Sequence, residues 1–172
     1  MSARTHLFDL ATLGLTAGEA RRLSLEVPVE SFSFGGQRYE PAPPRVEVTL
    51  DVSRMTGGGY ALRLRLQAAL EGPCMRCLDP ASPTIVVDSR EVDQPGGGDE
   101  LTSPYVEGAV LDVAAWTHDA LALALPSQIV CRDDCRGLCP VCGERLEDAG
   151  PEHRHEPAPD PRWAKLRELK LD

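Results

Sequence analysis

The stretch VEVTLDVSRMTGGGYALRLRLQAAL, residues 46–70, decides the fold. In its first half Val46, Val48, Leu50 and Val52 alternate with Glu47, Thr49 and Asp51. In its second half Tyr60, Leu62, Leu64, Leu66, Ala68 and Leu70 alternate with Arg63, Arg65 and Gln67. A period of two sends successive side chains to opposite faces, so each half reads as a strand with one apolar face. The residues between them, Met55, Thr56, Gly57, Gly58 and Gly59, let the chain reverse, which makes the pair a β-hairpin.

Working outward, Leu23, Leu25, Val27 and Val29 keep the same alternation, while Phe32 and Phe34 fall on the opposite parity. An extra residue near Glu30 and Ser31 must therefore form a bulge or bend. Pro28 cannot donate to a ladder and places this strand at a sheet edge. Residues 83–92, PTIVVDSREV, are β-branched and predict a fourth strand. Residues 93–108, DQPGGGDELTSPYVEG, have no period and read as an exposed acidic loop. A helix follows, with Asp112 as cap, Val113, Trp116, Ala120 and Leu123 on one face, and Pro126 as its stop. A last helix opens on Asp160 and Pro161 and would bury Trp163, Leu166 and Leu169. The expected architecture is α+β: an antiparallel sheet curling towards a barrel, a following helix and a zinc-knuckle C-terminal segment. Residues 1–20 are expected as an N-terminal extension, 21–125 as sheet plus helix, and 126–172 as a cysteine-rich metal-binding segment with the terminal helix, packed as one domain.

The whole chain has 172 residues, a formal charge of -9, 42% apolar and 26% charged residues, and 15 each of Gly and Pro. This composition fits a folded core broken by loops. No apolar run reaches the length of a membrane span or a signal peptide, so a cytoplasmic chain with no membrane partner is expected. The acidity argues against gripping nucleic acid through a broad basic face.

Six cysteines in a chain without an export signal suggest metal ligation before disulfides. Cys74 and Cys77 form C-x-x-C in GPCMRCLDP, Cys139 and Cys142 form another in LCPVCGERL, and Cys131 and Cys135 stand between them in VCRDDCRG. C-x-x-C lets a tight turn aim two sulfurs at one ion. Tetrahedral zinc needs four ligands, so two sites need two more than the cysteines supply. His153 and His155 can complete a site with Cys139 and Cys142, leaving Cys74, Cys77, Cys131 and Cys135 for a second; a solvated linker is the other reading of the histidines. A single four-cysteine site within residues 131–142 is the rival partition. Catalytic zinc keeps an open position with an acid or base beside it, and neither H-x-E nor H-E-x-x-H occurs here. No nucleophile elbow, Walker loop or dinucleotide fingerprint occurs either. One or two structural Zn2+ ions, no enzymatic activity and no small-molecule substrate are the expectation.

The order of these features, GPCMRC after a strand, an acidic loop, LDVAAWTHDALALALP, VCRDDCRGLCPVCGERL and a terminal DPRWAKLREL, resembles the YceD family of large ribosomal RNA subunit accumulation proteins, in its cysteine-rich Gram-positive form. The resemblance covers roughly residues 20–172. It implies a cytoplasmic bacterial protein that supports synthesis, processing or stability of 23S rRNA, with rRNA or a ribosomal or rRNA-processing protein as partner. Where that branch often carries a further C-x-C, this chain has His153-Arg154-His155, and imidazole can replace thiolate at zinc. A redox- or zinc-responsive regulator is the alternative function. Candidate contacts with RNA or a partner are Arg63 and Arg65 on one strand face, Arg76 in the first C-x-x-C, and Lys165, Arg167 and Lys170 on the last helix.

Overall fold

The computed structural model describes residues 7–155. Its elements are β1 (Leu7–Asp9), β2 (Ala20–Pro28), β3 (Phe32–Phe34), β4 (Gln37–Ala42), β5 (Arg45–Arg54), β6 (Tyr60–Pro73), β7 (Pro80–Ala81), β8 (Thr84–Asp93), β9 (Val106–Glu107), β10 (Val110–Asp112) and α1 (Val113–Ala124). The chain divides into two units between Cys135 and Arg136. The terminal helix read from residues 160–170 lies outside the described residues.

The hairpin read from residues 46–70 is β5 and β6, with Leu50 opposite Leu64 and Arg54 opposite Tyr60. The alternation is realised as burial: Val46, Val48, Leu50, Val52, Leu62 and Leu64 are all in the core. β6 is the central strand, pairing β5 from Tyr60 to Leu66, β8 from Tyr60 to Ala69 and β4 from Ala69 to Glu71, all antiparallel. Among the described residues β2 pairs only β5, and the chain then bends so that β3 pairs β4. The outer strands β2 and β8 do not pair, so the sheet is not closed into a barrel. A helix takes over the covering role, because α1 packs on β8 and β2.

Asp112 caps α1 by accepting a 2.9 Å hydrogen bond from the Ala115 amide. Val113, Trp116, Thr117, Ala120 and Leu121 are its buried residues. Leu123, expected on that face, is 86% exposed. At about 100° per residue it stands only about 20° beyond Trp116, at the margin of the buried arc and in the last turn of the helix, and Leu121 on the opposite margin is buried instead. Trp116 donates from Nε1 to Ser89 Oγ of β8 at 3.0 Å, which satisfies the one polar atom of the indole.

The acidic segment 93–108 is less open than its composition suggests. Asp93 and Ser103 are buried, and the Ser103 amide donates to the Asp93 carboxylate at 3.4 Å. Tyr105 stacks on Trp116 and donates to Asp119. β9 and β10 then form a small sheet with β1. Leu10, in residues read as an extension, is fully buried just after β1. The second unit, described over residues 136–155, is built from turns around a bridge between Leu138 and Arg145.

Candidate metal centres

The first centre starts at the end of β6. Tyr39 of β4 is buried and donates from its hydroxyl to the Pro73 carbonyl at 3.0 Å. Its ring lies so close over Gly72 that a Cβ at that position would collide with it. The strand end is held there, and Cys74 follows it directly. The Cys74 amide donates to Asp79 O at 2.6 Å and the Leu78 amide to Cys74 O at 3.0 Å, which closes the turn between β6 and β7. Leu78 adopts a φ of 66° to complete it, a conformation that is unfavourable for a residue with a Cβ.

The other half of this centre is the segment after α1. The Met75 amide donates to Ile129 O at 2.8 Å, and Ile129 is buried. Arg76 donates from Nε to Gln128 Oε1 at 3.0 Å and from Nη1 to Cys135 O at 3.0 Å. These bonds bring Cys131 and Cys135 to the first C-x-x-C. Cys74 Sγ lies 3.8 Å from Cys135 Sγ, and Cys77 Sγ lies 3.6 Å from Cys131 Sγ. All four sulfurs are within 4.8 Å of one another. With zinc–sulfur bonds of ~2.3 Å, a tetrahedron has sulfur–sulfur edges of about 3.8 Å, so this spacing fits one ion.

The electrostatics agree with that fit. Burial opposes a thiolate at Cys74, but the amides of Arg76, Cys77 and Cys131 directed at its sulfur outweigh burial and lower it to about 6. Burial, and after it the neighbouring sulfurs, push the Cys77 thiol up to about 12. Burial raises Cys131 also. Cys77 and Cys131 thus resist carrying charge beside the Cys74 thiolate, and a cation among them removes that resistance.

The second centre lies in the second unit. The Cys139 amide donates to Glu144 O and the Gly143 amide to Cys139 O, each at 2.8 Å, closing a turn in which Gly143 has a φ of 74°. Cys142 Sγ is 3.7 Å from His153 Nε2, and His155 Nε2 is 3.1 Å from the same nitrogen. Cys139, Cys142, His153 and His155 offer ligand atoms within 4.8 Å of one another. His153 Nδ1 lies 3.1 Å from the Glu144 carboxylate. That contact suits an Nδ1–H donor and turns Nε2 towards the Cys142 sulfur. The His153 side chain, followed by the amides of Cys142 and Val141, lowers the Cys139 thiol to about 6. Cys142 and His155 are exposed, whereas Cys74, Cys77 and Cys135 of the first centre are buried.

The structure therefore groups the eight sequence-read ligands four and four, with Cys131 and Cys135 beside the first C-x-x-C rather than in a set confined to residues 131–142. Glu144, Gln128, Met75 and Ile129 escaped sequence reading, since nothing local to them marks a contact made far along the chain. Of the cations singled out, Arg63 donates to Asp88 at 2.7 Å and Arg65 to Asp51 at 2.9 Å on the outer sheet face. Arg76 is engaged with the first centre's own carbonyls. Lys165, Arg167 and Lys170 lie outside the described residues.

Comparison with known proteins matches residues 62–170 to the family model of the large ribosomal RNA subunit accumulation protein YceD. The chain belongs to the YceD family. That match takes in most of β6, and β8, α1 and both candidate metal centres. An uncharacterized protein of Mycobacterium tuberculosis and one of Mycobacterium bovis are each 42% identical over 104 residues, covering 57% of this chain and 49% of theirs. This YceD-family chain thus spans about half the length of those relatives. An uncharacterized protein of Mycobacterium leprae is 31% identical over 170 residues, 95% of this chain and 76% of its own. No solved structure gives a significant match. Among the described residues of this family member, no helix is long and apolar enough to cross a membrane.

Proposed function

We propose that this protein is a non-enzymatic, zinc-stabilised accessory factor that supports synthesis, processing or stability of 23S rRNA in the bacterial cytoplasm. The observation that carries the metal reading is the set of four sulfurs from Cys74, Cys77, Cys131 and Cys135, spaced at the edges of a zinc-sized tetrahedron. Membership of a family named for large ribosomal RNA subunit accumulation supports the biological part. When bound, zinc supplies folding energy and a rigid cross-link. Cys74 and Cys77 hold the end of β6, Cys131 and Cys135 hold the segment after α1, and Arg76 fixes their relative orientation. Each group supplies four protein ligands, a closed set with no position for a substrate, which is why a binding role is favoured over catalysis. The partner is rRNA or a ribosomal or rRNA-processing protein.

Exposure of Cys142 and His155 favours a second reading, a zinc- or redox-responsive regulator, because a sensor needs accessible ligands. Depletion in cells with measurement of the 23S to 16S rRNA ratio separates the two. A fall in 23S supports the accessory factor, and an unchanged ratio refutes it.

A further inference from the structure

The outward face of the sheet holds a row of charge across four strands. Register aligns Arg22 of β2, Asp51 of β5, Arg63 of β6 and Arg90 of β8, and the next row contains Ser24, Thr49, Arg65 and Asp88. With strands ~4.8 Å apart and same-face residues ~6.7 Å apart, the patch is about 14 Å by 7 Å. Asp51 accepts from Arg22 at 2.6 Å and from Arg65 at 2.9 Å, while Asp88 accepts from Arg63 at 2.7 Å. Arg90 is exposed and has no ion pair among the described residues. Four guanidinium groups thus share two carboxylates, which makes a cationic island on a chain whose formal charge is -9.

The surroundings select the partner. On one side the row Ala20, Ser53, Ala61 and Val92 carries no charge; on the other, Glu26 faces Glu47 and Gln67 faces the exposed Val86. The two charged rows contain no aromatic ring for stacking bases and no large apolar side chain to anchor a protein partner. What they do present is the guanidinium of Arg90, unpaired among the described residues, and the N–H groups that Asp51 and Asp88 leave over on Arg22, Arg63 and Arg65, donors suited to phosphate oxygens. We propose that Arg22, Arg63, Arg65 and Arg90 bind the phosphate backbone of one RNA strand, engaging about three phosphates without reading sequence. The glutamates at the margin keep the contact local. This inference deepens the proposed rRNA role and rests on it for its biological setting, but its chemistry is testable alone.

Fluorescence anisotropy with a short mixed-sequence RNA and the zinc-loaded full chain provides the test. Affinity is expected to fall with salt between roughly 50 and 200 mM with a logarithmic slope near -2, as about three phosphate contacts require. Arg63→Gln with Arg90→Gln should weaken binding about tenfold at low salt and reduce the slope by about 1.4. Asp88→Asn, which releases Arg63 from its carboxylate, should tighten binding about threefold, an outcome that misfolding cannot mimic. Zinc content is measured on each variant. Absence of binding by the native chain, or indifference to all three substitutions, overturns the proposal. Equal displacement by poly-glutamate at matched charge assigns the patch to an acidic protein and overturns it also. A lowered 23S to 16S ratio on depletion with no RNA binding retains the proposed function and removes this patch.

Discussion

Cys135→Ser isolates what the first centre contributes to folding. Cys135 is buried, and its sulfur sits 3.8 Å from that of Cys74, so serine removes one of four ligands with almost no change in volume. The shortest link across the centre joins Cys77 and Cys131, 54 residues apart. Treated as a cross-link, closure of a loop of that length removes about 14 cal/mol/K from the unfolded chain, or about 4 kcal/mol at 25 °C. For a unit of this size that corresponds to a fall in Tm of roughly 10–15 °C. The sheet keeps its own core of Val48, Leu50, Val52 and Leu64. The variant is therefore expected to remain folded, with the segment 126–135 becoming open to limited proteolysis. Zinc content should fall from two ions to one per chain. The assay is elemental analysis and thermal denaturation under reducing conditions, with Cys142→Ser as comparison. That variant also loses one ion, but its link to His153 spans only 11 positions in the other unit, so the sheet's transition should stay in place. Loss of one zinc from Cys135→Ser with an unchanged sheet transition would refute the cross-link argument, and retention of both ions would refute the ligand assignment.

Glu144→Gln should lower zinc affinity at the second centre about 10- to 100-fold, because it weakens the contact that orients His153, with the first centre unchanged in a chelator competition. Leu78 is 60% exposed and has a positive φ; Leu78→Gly should therefore raise stability by about 0.5–1 kcal/mol in urea denaturation, and a loss of that size would show that the leucine is held by packing.

The strands and the ligand inventory were legible in the primary structure for different reasons. Alternation from Val46 to Leu70 carries its own geometry, because a period of two and one apolar face permit one inside. The cysteines and His153 and His155 declared themselves by chemistry and spacing. Counting donors divided them four and four as the structure groups them, but it left a set confined to residues 131–142 as a rival. Pairing Cys74 and Cys77 with Cys131 and Cys135 depended on where α1 ends and on the bonds from Met75 to Ile129 and from Arg76 to Gln128 and Cys135. The same limit applied to charge. Arg63 and Arg65 read as candidate contacts on one strand face, yet each faces a carboxylate on a paired strand. Arg90 joins them only through register. Local pattern settled the inward face of the hairpin and which residues could bind metal, whereas three-dimensional neighbours, set by strand pairing and by the path of the chain after α1, decided that Leu123 is exposed, that Leu10 is buried and which of those groups act together.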